Sequence, residues 1–131
     1  MICTTRTVTV GNATSSVDSP IILYKGDKGI EITFAINNKF KFIDENMIES
    51  TNASFGQLVI KNGKDVSVIS EISPCKDGKV SLIITEDMTD EITEIGVYQF
   101  QIRLYDSTQS SRITLPPVLE GIEIRTPIAE N

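Results

Sequence analysis

The sequence predicts an all-β fold, an antiparallel two-layer β-sandwich carrying one short helical turn, and three observations lead there. The longest regular stretch, Glu94 to Asp106, alternates apolar and polar residues, with Tyr98, Phe100, Ile102 and Leu104 on one face and Gln99, Gln101, Arg103 and Tyr105 on the other. Alternation of that kind belongs to a sheet with one face in a core and one in water, whereas the buried strands of a parallel α/β enzyme are apolar on both faces. Shorter alternating stretches recur between Gly, Asn, Asp and Pro turn signals, giving roughly eight to ten strands and almost no helix. Finally, Tyr98 stands two residues ahead of the core position Phe100 and just after Gly96. This is the sequence form of the tyrosine corner of immunoglobulin-like sandwiches.

Taken in order, Thr5 to Val10 alternates Thr with Arg6, Val8 and Val10 before Gly11-Asn12, and reads as a first strand. Ile21 to Tyr24 is a short strand closed by Lys25-Gly26-Asp27-Lys28-Gly29, a turn whose glycines permit positive φ. Ile30, Ile32, Phe34 and Ile36 alternate cleanly; Asn37-Asn38 reads as a tight turn and Phe40 to Ile43 as the hairpin partner. The pattern lapses from Asp44 to Asn52, a predicted loop. Ser54 to Lys61 and Val66 to Ile72 read as strands around Asn62-Gly63, and Pro74 to Gly78 as a turn. Val80, Leu82 and Ile84 carry the next strand, with Ile83 facing outward. Glu86 to Glu94 has helical spacing, because Met88, Ile92 and Ile95 make a short apolar stripe. After the Tyr98 strand, Ser107 to Ser111 is a polar turn and Arg112 to Leu115 a short strand stopped by Pro116-Pro117. Val118 to Ile124 is the last strand.

With 131 residues the chain is expected to form a single domain, residues 1–131, able to bury a core without covalent staples. Its 40% hydrophobic and 23% charged residues place it among globular rather than disordered chains. The formal charge of −6, with the basic residues scattered singly, argues against nucleic acid as a partner. Histidine is absent, which removes Ser-His-Asp and Cys-His nucleophile systems and the commonest zinc ligand. Tryptophan is absent too, which weakens a sugar-binding reading, since glycan sites lean on large aromatic platforms. Cys3 and Cys75 are far apart, and two thiols in a reducing compartment are favoured over one disulfide. The polar alternating N-terminus is unlike a signal peptide, and no apolar run reaches membrane-spanning length. The expectation is therefore a protein made in the cytoplasm, with no membrane partner.

Two clusters invite a site. Glu86, Asp87, Asp90, Glu91 and Glu94 offer hard oxygens for calcium, but helical spacing spreads them around a turn, so a solvated acidic face is expected. Tyr24-Lys25-Gly26-Asp27 is expected to be a turn in which Asp27 caps backbone amides and Gly26 is left-handed. It is not a P-loop, since no Gly-Lys-Ser/Thr follows. Asn12-Ala-Thr14 and Asn52-Ala-Ser54 match the glycosylation acceptor pattern by chance. Tyr105, Ile83 and Val59 face outward in this reading and are candidate interface residues. No catalytic, cofactor-binding or metal-ligating residue is predicted.

Three stretches in this order resemble one family. They are Tyr24-Lys-Gly-Asp-Lys-Gly-Ile-Glu-Ile-Thr-Phe-Ala-Ile36, the Pro74 to Gly78 turn before Lys79-Val-Ser-Leu-Ile-Ile84, and Gly96-Val-Tyr-Gln-Phe-Gln-Ile-Arg-Leu-Tyr-Asp106 leading to Ser111-Arg-Ile-Thr114. Over roughly residues 20 to 126 they are similar to the N-terminal domain of baseplate upper proteins of tailed phages and prophages of Gram-positive bacteria. The segment Asp44 to Asn52 departs from the compact lead-in that the family more often shows. The resemblance implies an immunoglobulin-like attachment domain, with Gly26, Asp27, Gly96, Tyr98 and Phe100 as its structural motif. It implies docking to the distal tail hub, a downstream part that trimerises and carries receptor-binding proteins, location in the virion baseplate, and no cofactor. The alternative is a non-catalytic adhesion or carbohydrate-binding sandwich.

Overall fold

The computed structural model describes residues 5–11, 20–36, 41–43, 46–50, 53–61, 67–92, 94–126 and 128. Twelve strands and one helix follow one another along these residues: β1 (Thr5–Val10), β2 (Ile21–Tyr24), β3 (Ile30–Ile36), β4 (Phe42–Ile43), β5 (Glu49–Ser50), β6 (Phe55–Lys61), β7 (Ser67–Ile69), β8 (Ser73–Lys76), β9 (Lys79–Ile84), α1 (Glu86–Glu91), β10 (Gly96–Tyr105), β11 (Arg112–Thr114) and β12 (Val118–Arg125).

The strands make an all-β, immunoglobulin-like sandwich. One layer runs β1-β3-β9-β8 and the other β2-β12-β10-β6, with β7 on β6 and β11 on β10. β8 pairs with both β9 and β6, so a single path curls from one layer into the other. Most pairs are antiparallel, but β1 lies parallel to β3 and β2 parallel to β12. The opening strands thus cap the two layers separately.

Period-two placement of large apolar residues drives the packing. Tyr98, Phe100, Ile102 and Leu104 of β10 are buried together with Ile32 and Phe34 of β3, Leu58 and Ile60 of β6, and Val80, Leu82 and Ile84 of β9. Each such side chain contributes roughly 1.5–3 kcal/mol through the apolar surface it removes from water. Phe34 and Phe100 meet across the layers with ring centroids 5.5 Å apart and planes tilted by 56°. This aromatic pair is a direct side-chain joint between the two layers.

Between Tyr98↔Ile122 and Phe100↔Val118 the β10–β12 register shifts, so β12 bulges through Leu119, Glu120 and Gly121. Glu120 takes φ 54 in the bulge. A Cβ on Gly121 would lie 2.3 Å from Cε2 of Phe100, so only glycine lets the ring reach that backbone.

The helix starts where Thr85 Oγ1 accepts from Met88 N at 3.3 Å, and Glu86 and Asp87 suit the positive end of its dipole. It buries Met88 and Thr89, and Ile92 is buried just beyond it. Ile95, expected on the same stripe, is exposed, because the helix stops at Glu91 and helical phase is lost before that residue.

Four other expectations need correction. Phe42–Ile43 pairs with Glu49–Ser50 rather than with the preceding strand, so the predicted loop from Asp44 to Asn52 contains a strand. Pro74 to Gly78 is not all turn: Ser73–Lys76 is β8, and Asp77 and Gly78 alone take positive φ. Backbone pairing of Pro74 with Phe55 and of Cys75 with Val80 overrides the local turn signal. Of the strand expected over Val66 to Ile72, Ser67–Ile69 is β7, Ser70 to Ile72 lie beyond it, and Val66 is outside the described residues. Val59 is buried rather than outward-exposed, on a face where β7 and β10 flank it at Ile69 and Gln101. Asn37-Asn38, Asn62-Gly63, Asn12-Ala-Thr14, Asn52 and Cys3 lie outside the described residues.

Candidate interaction surfaces

Three surfaces collect the residues that sequence reasoning singled out, together with some it missed. The first is the end of the sandwich where β10 begins. Gly26 takes φ 89, and Asp27 Oδ2 accepts from Tyr24 N at 2.9 Å while Asp27 N donates to Tyr24 O at 3.0 Å. The buried Thr89 Oγ1 donates to Asp27 O at 2.9 Å and to Glu86 O at 3.0 Å, tying the β2–β3 turn to α1. An exposed ion pair, Lys28 Nζ to Glu86 Oε2 at 3.2 Å, spans the same junction. Gly96 takes φ 143, and the buried Tyr98 donates its hydroxyl to Glu94 O at 2.5 Å, closing the corner over which Phe100 packs. The turn residues Gly26 and Asp27 and the corner residues Gly96, Tyr98 and Phe100 are thus two separate pieces of geometry, linked through α1.

The acidic side chains of this end, Glu86, Asp87, Asp90, Glu91 and Glu94, are all exposed. Among the described residues no group of three or more His, Cys, Asp or Glu is placed to hold a metal ion. Glu71, Asp87 and Glu91 rim a cleft of about 250 Å³ floored by Val68 and Met88. The Cys75 thiol is half-buried, and burial pushes its pKa up, away from thiolate reactivity.

The opposite end is organised by Asp106, a buried carboxylate that sequence reading left unremarked. Its Oδ2 accepts from Ser110 Oγ at 3.0 Å and Thr108 Oγ1 at 3.3 Å, and its Oδ1 from Ser111 N at 3.1 Å. Desolvation pulls the carboxyl upward, but the hydrogen bonds from Ser111, Ser110 and Thr108 outweigh it and hold the pKa below 3.8. Ser111 Oγ then donates to Ile43 O at 2.5 Å and fastens the β4–β5 hairpin. Phe42 anchors this hairpin in the core, while Met47, at φ 63, is 77% exposed beside the exposed Ile48. A run of Asp, Ser and Thr around a turn is the signal that marks such a network.

The third surface is the outer face of β10, β12 and β2. It carries exposed apolar side chains on three adjacent strands, with exposures of 52% at Val97, 40% at Ile22 and 37% at Tyr24. Glu123 and Arg125 pair at its centre, Nε to Oε2 2.5 Å. The hydrogen bond from Arg125 outweighs desolvation and lowers the Glu123 pKa, while Glu123 and Tyr24 raise that of Arg125. The sequence carries a mark of this face: Ile21-Ile-Leu-Tyr24 is apolar at every position, where a half-exposed strand alternates. Of the outward candidates named from sequence, Ile83 is exposed on another layer, and Tyr105 is half-buried with its hydroxyl on Gln57 Oε1 at 3.0 Å.

No protein-family model matches this sequence, and no curated protein sequence does. Among solved structures, the chain is similar to the N-terminal domain of phage TP901-1 ORF48. The likeness covers 94% of this chain and 99% of that one, with a TM-score of 0.60. Identity is 9%, so the likeness is one of fold.

Proposed function

We propose that the chain is a structural component of a phage tail, the attachment domain of a baseplate upper protein. In this reading it docks to the distal tail hub. The downstream part of a longer protein trimerises and supports receptor-binding proteins. The observation that carries the proposal is the fold likeness to the N-terminal domain of a phage protein along 94% of the chain. The order of the Gly-Asp turn, the β8–β9 turn and the Gly-x-Tyr strand in the sequence supports the same assignment.

The role is mechanical and not catalytic. A chain of 131 residues without histidine has no neutral-pH proton shuttle of the usual kind, and its densest carboxylates stand apart in solvent. The protein is synthesised in the host cytoplasm and carried out in the virion. Gold-labelled antibody against the chain, applied to phage particles induced from the source strain, is expected to mark the tail tip. Intact tailed particles without label, with the epitope shown accessible after partial disassembly, would overturn the reading and bring the adhesion-module alternative forward.

A further inference from the structure

The outer face of β10, β12 and β2 has an internal order. Strand register puts Val97, Glu123 and Ile22 in one row across the three strands. One step along the strands, Arg125 lies beside Tyr24, making a second row. The outer columns are apolar, Val97 on one side and Ile22 with Tyr24 on the other, and the middle column is one carboxylate and one guanidinium.

We propose that this face is a contact between two copies of the chain, packed sheet on sheet about a two-fold axis that crosses the strands between the rows. That operation exchanges the rows and keeps the columns. Glu123 of each copy then faces Arg125 of the other, Ile22 faces Tyr24, and Val97 lies over the start of the other copy's β10. Apolar surface meets apolar surface and each charge meets its opposite, which is the self-complementarity that an isologous interface requires. A two-fold along the strands would set Glu123 on Glu123 and Arg125 on Arg125, and is disfavoured by that repulsion.

Edge pairing of β2 is the competing way to join copies, and the structure blunts it. Asp27 occupies both the N–H and the C=O of Tyr24, the last residue of a four-residue strand, on the edge away from β12. Face packing leaves these bonds intact. The contact is independent of the tail assignment, since it needs only this chain.

Sedimentation equilibrium of the chain from about 10 µM to 1 mM reads the contact, with a dissociation constant expected on the order of 100 µM for so small an interface. The mass is expected to rise from 14.4 kDa towards twice that value. Val97→Asp is expected to weaken association by about tenfold or more while circular dichroism and melting show an intact fold. Glu123→Arg and Arg125→Glu are each expected to weaken it, since like charges then face each other. An equimolar mixture of these two variants restores opposite charges at both contacts and is expected to associate as wild type does. A wild-type chain that stays at 14.4 kDa throughout overturns the proposal. So does a folded Val97→Asp chain that associates unchanged, or a mixture no tighter than its separate components.

Discussion

The two ends of β10 are held by different physics. They lie roughly 30 Å apart at the rise of a β-strand. At its start, the chain is fastened by backbone geometry and packing: Tyr98 on Glu94 O, the positive φ of Gly96, and α1 pinned to the β2–β3 turn through Thr89 and Asp27. At its finish, a single carboxylate gathers Thr108, Ser110 and Ser111, and Ser111 in turn holds the β4–β5 hairpin. A corner made of neutral hydrogen bonds is indifferent to pH, whereas a loop gathered by Asp106 is not. One strand therefore runs from a corner whose own bond, Tyr98 to Glu94 O, is between neutral groups to a loop that acid loosens.

The largest break in this arrangement is expected from Gly121→Ala. Its Cβ would enter the Phe100 ring at 2.3–2.5 Å, and displacing the ring from β12 and from Phe34 should cost about 3 kcal/mol in urea-unfolding experiments. Tyr98→Phe removes one bond at the corner and should cost about 1–1.5 kcal/mol, at the same value from pH 3 to pH 8. Thr85→Ala removes the cap of α1 and should cost about 1 kcal/mol. Hydrogen exchange should then quicken in α1 and leave residues 106–111 unchanged.

Asp106→Asn should have the smallest effect on the global midpoint and the sharpest pH signature. The folded carboxyl has a pKa below the ordinary 3.8, so its stabilisation is complete above that value and is lost as pH falls through the folded pKa. In the wild type, the exchange protection of residues 107–111, corrected for the intrinsic rate at each pH, should fall on acidification below about pH 4, and in the Asn variant it should be low already at neutral pH and flat below. A Tyr98→Phe/Asp106→Asn double variant should lose the sum of the single losses, because ends this far apart do not couple.

The same contrast explains what was legible in the sequence. β3, β9 and β10 could be read because alternation is a local property, and Ile32, Phe34, Leu82, Phe100 and Ile102 are buried where their parity places them. The Gly26-Asp27 turn and the tyrosine corner are local too. By contrast, β8 could not be read from Pro74-Cys-Lys76, whose residues signal a turn. Its strand character comes from Phe55 and Val80, partners distant in sequence or set by the fold. Ile95 followed the helical period on paper, yet α1 ended first. The two-row face required knowing that β2 lies beside β12, a parallel pairing between strands about a hundred residues apart.

That parallel pairing also decides how the protein bears load. Ile21–Tyr24 and Ile122–Arg125 run side by side in the same direction, so the start of β2 and the finish of β12 lie at opposite ends of one ladder. Tension applied between residues preceding Ile21 and residues following Arg125 pulls the two strands past each other, loading all the rungs in shear at once. Antiparallel terminal strands pulled in this way would unzip one bond at a time. A ladder loaded in this way is stiffest, and its lifetime under force is set by a single unfolding step.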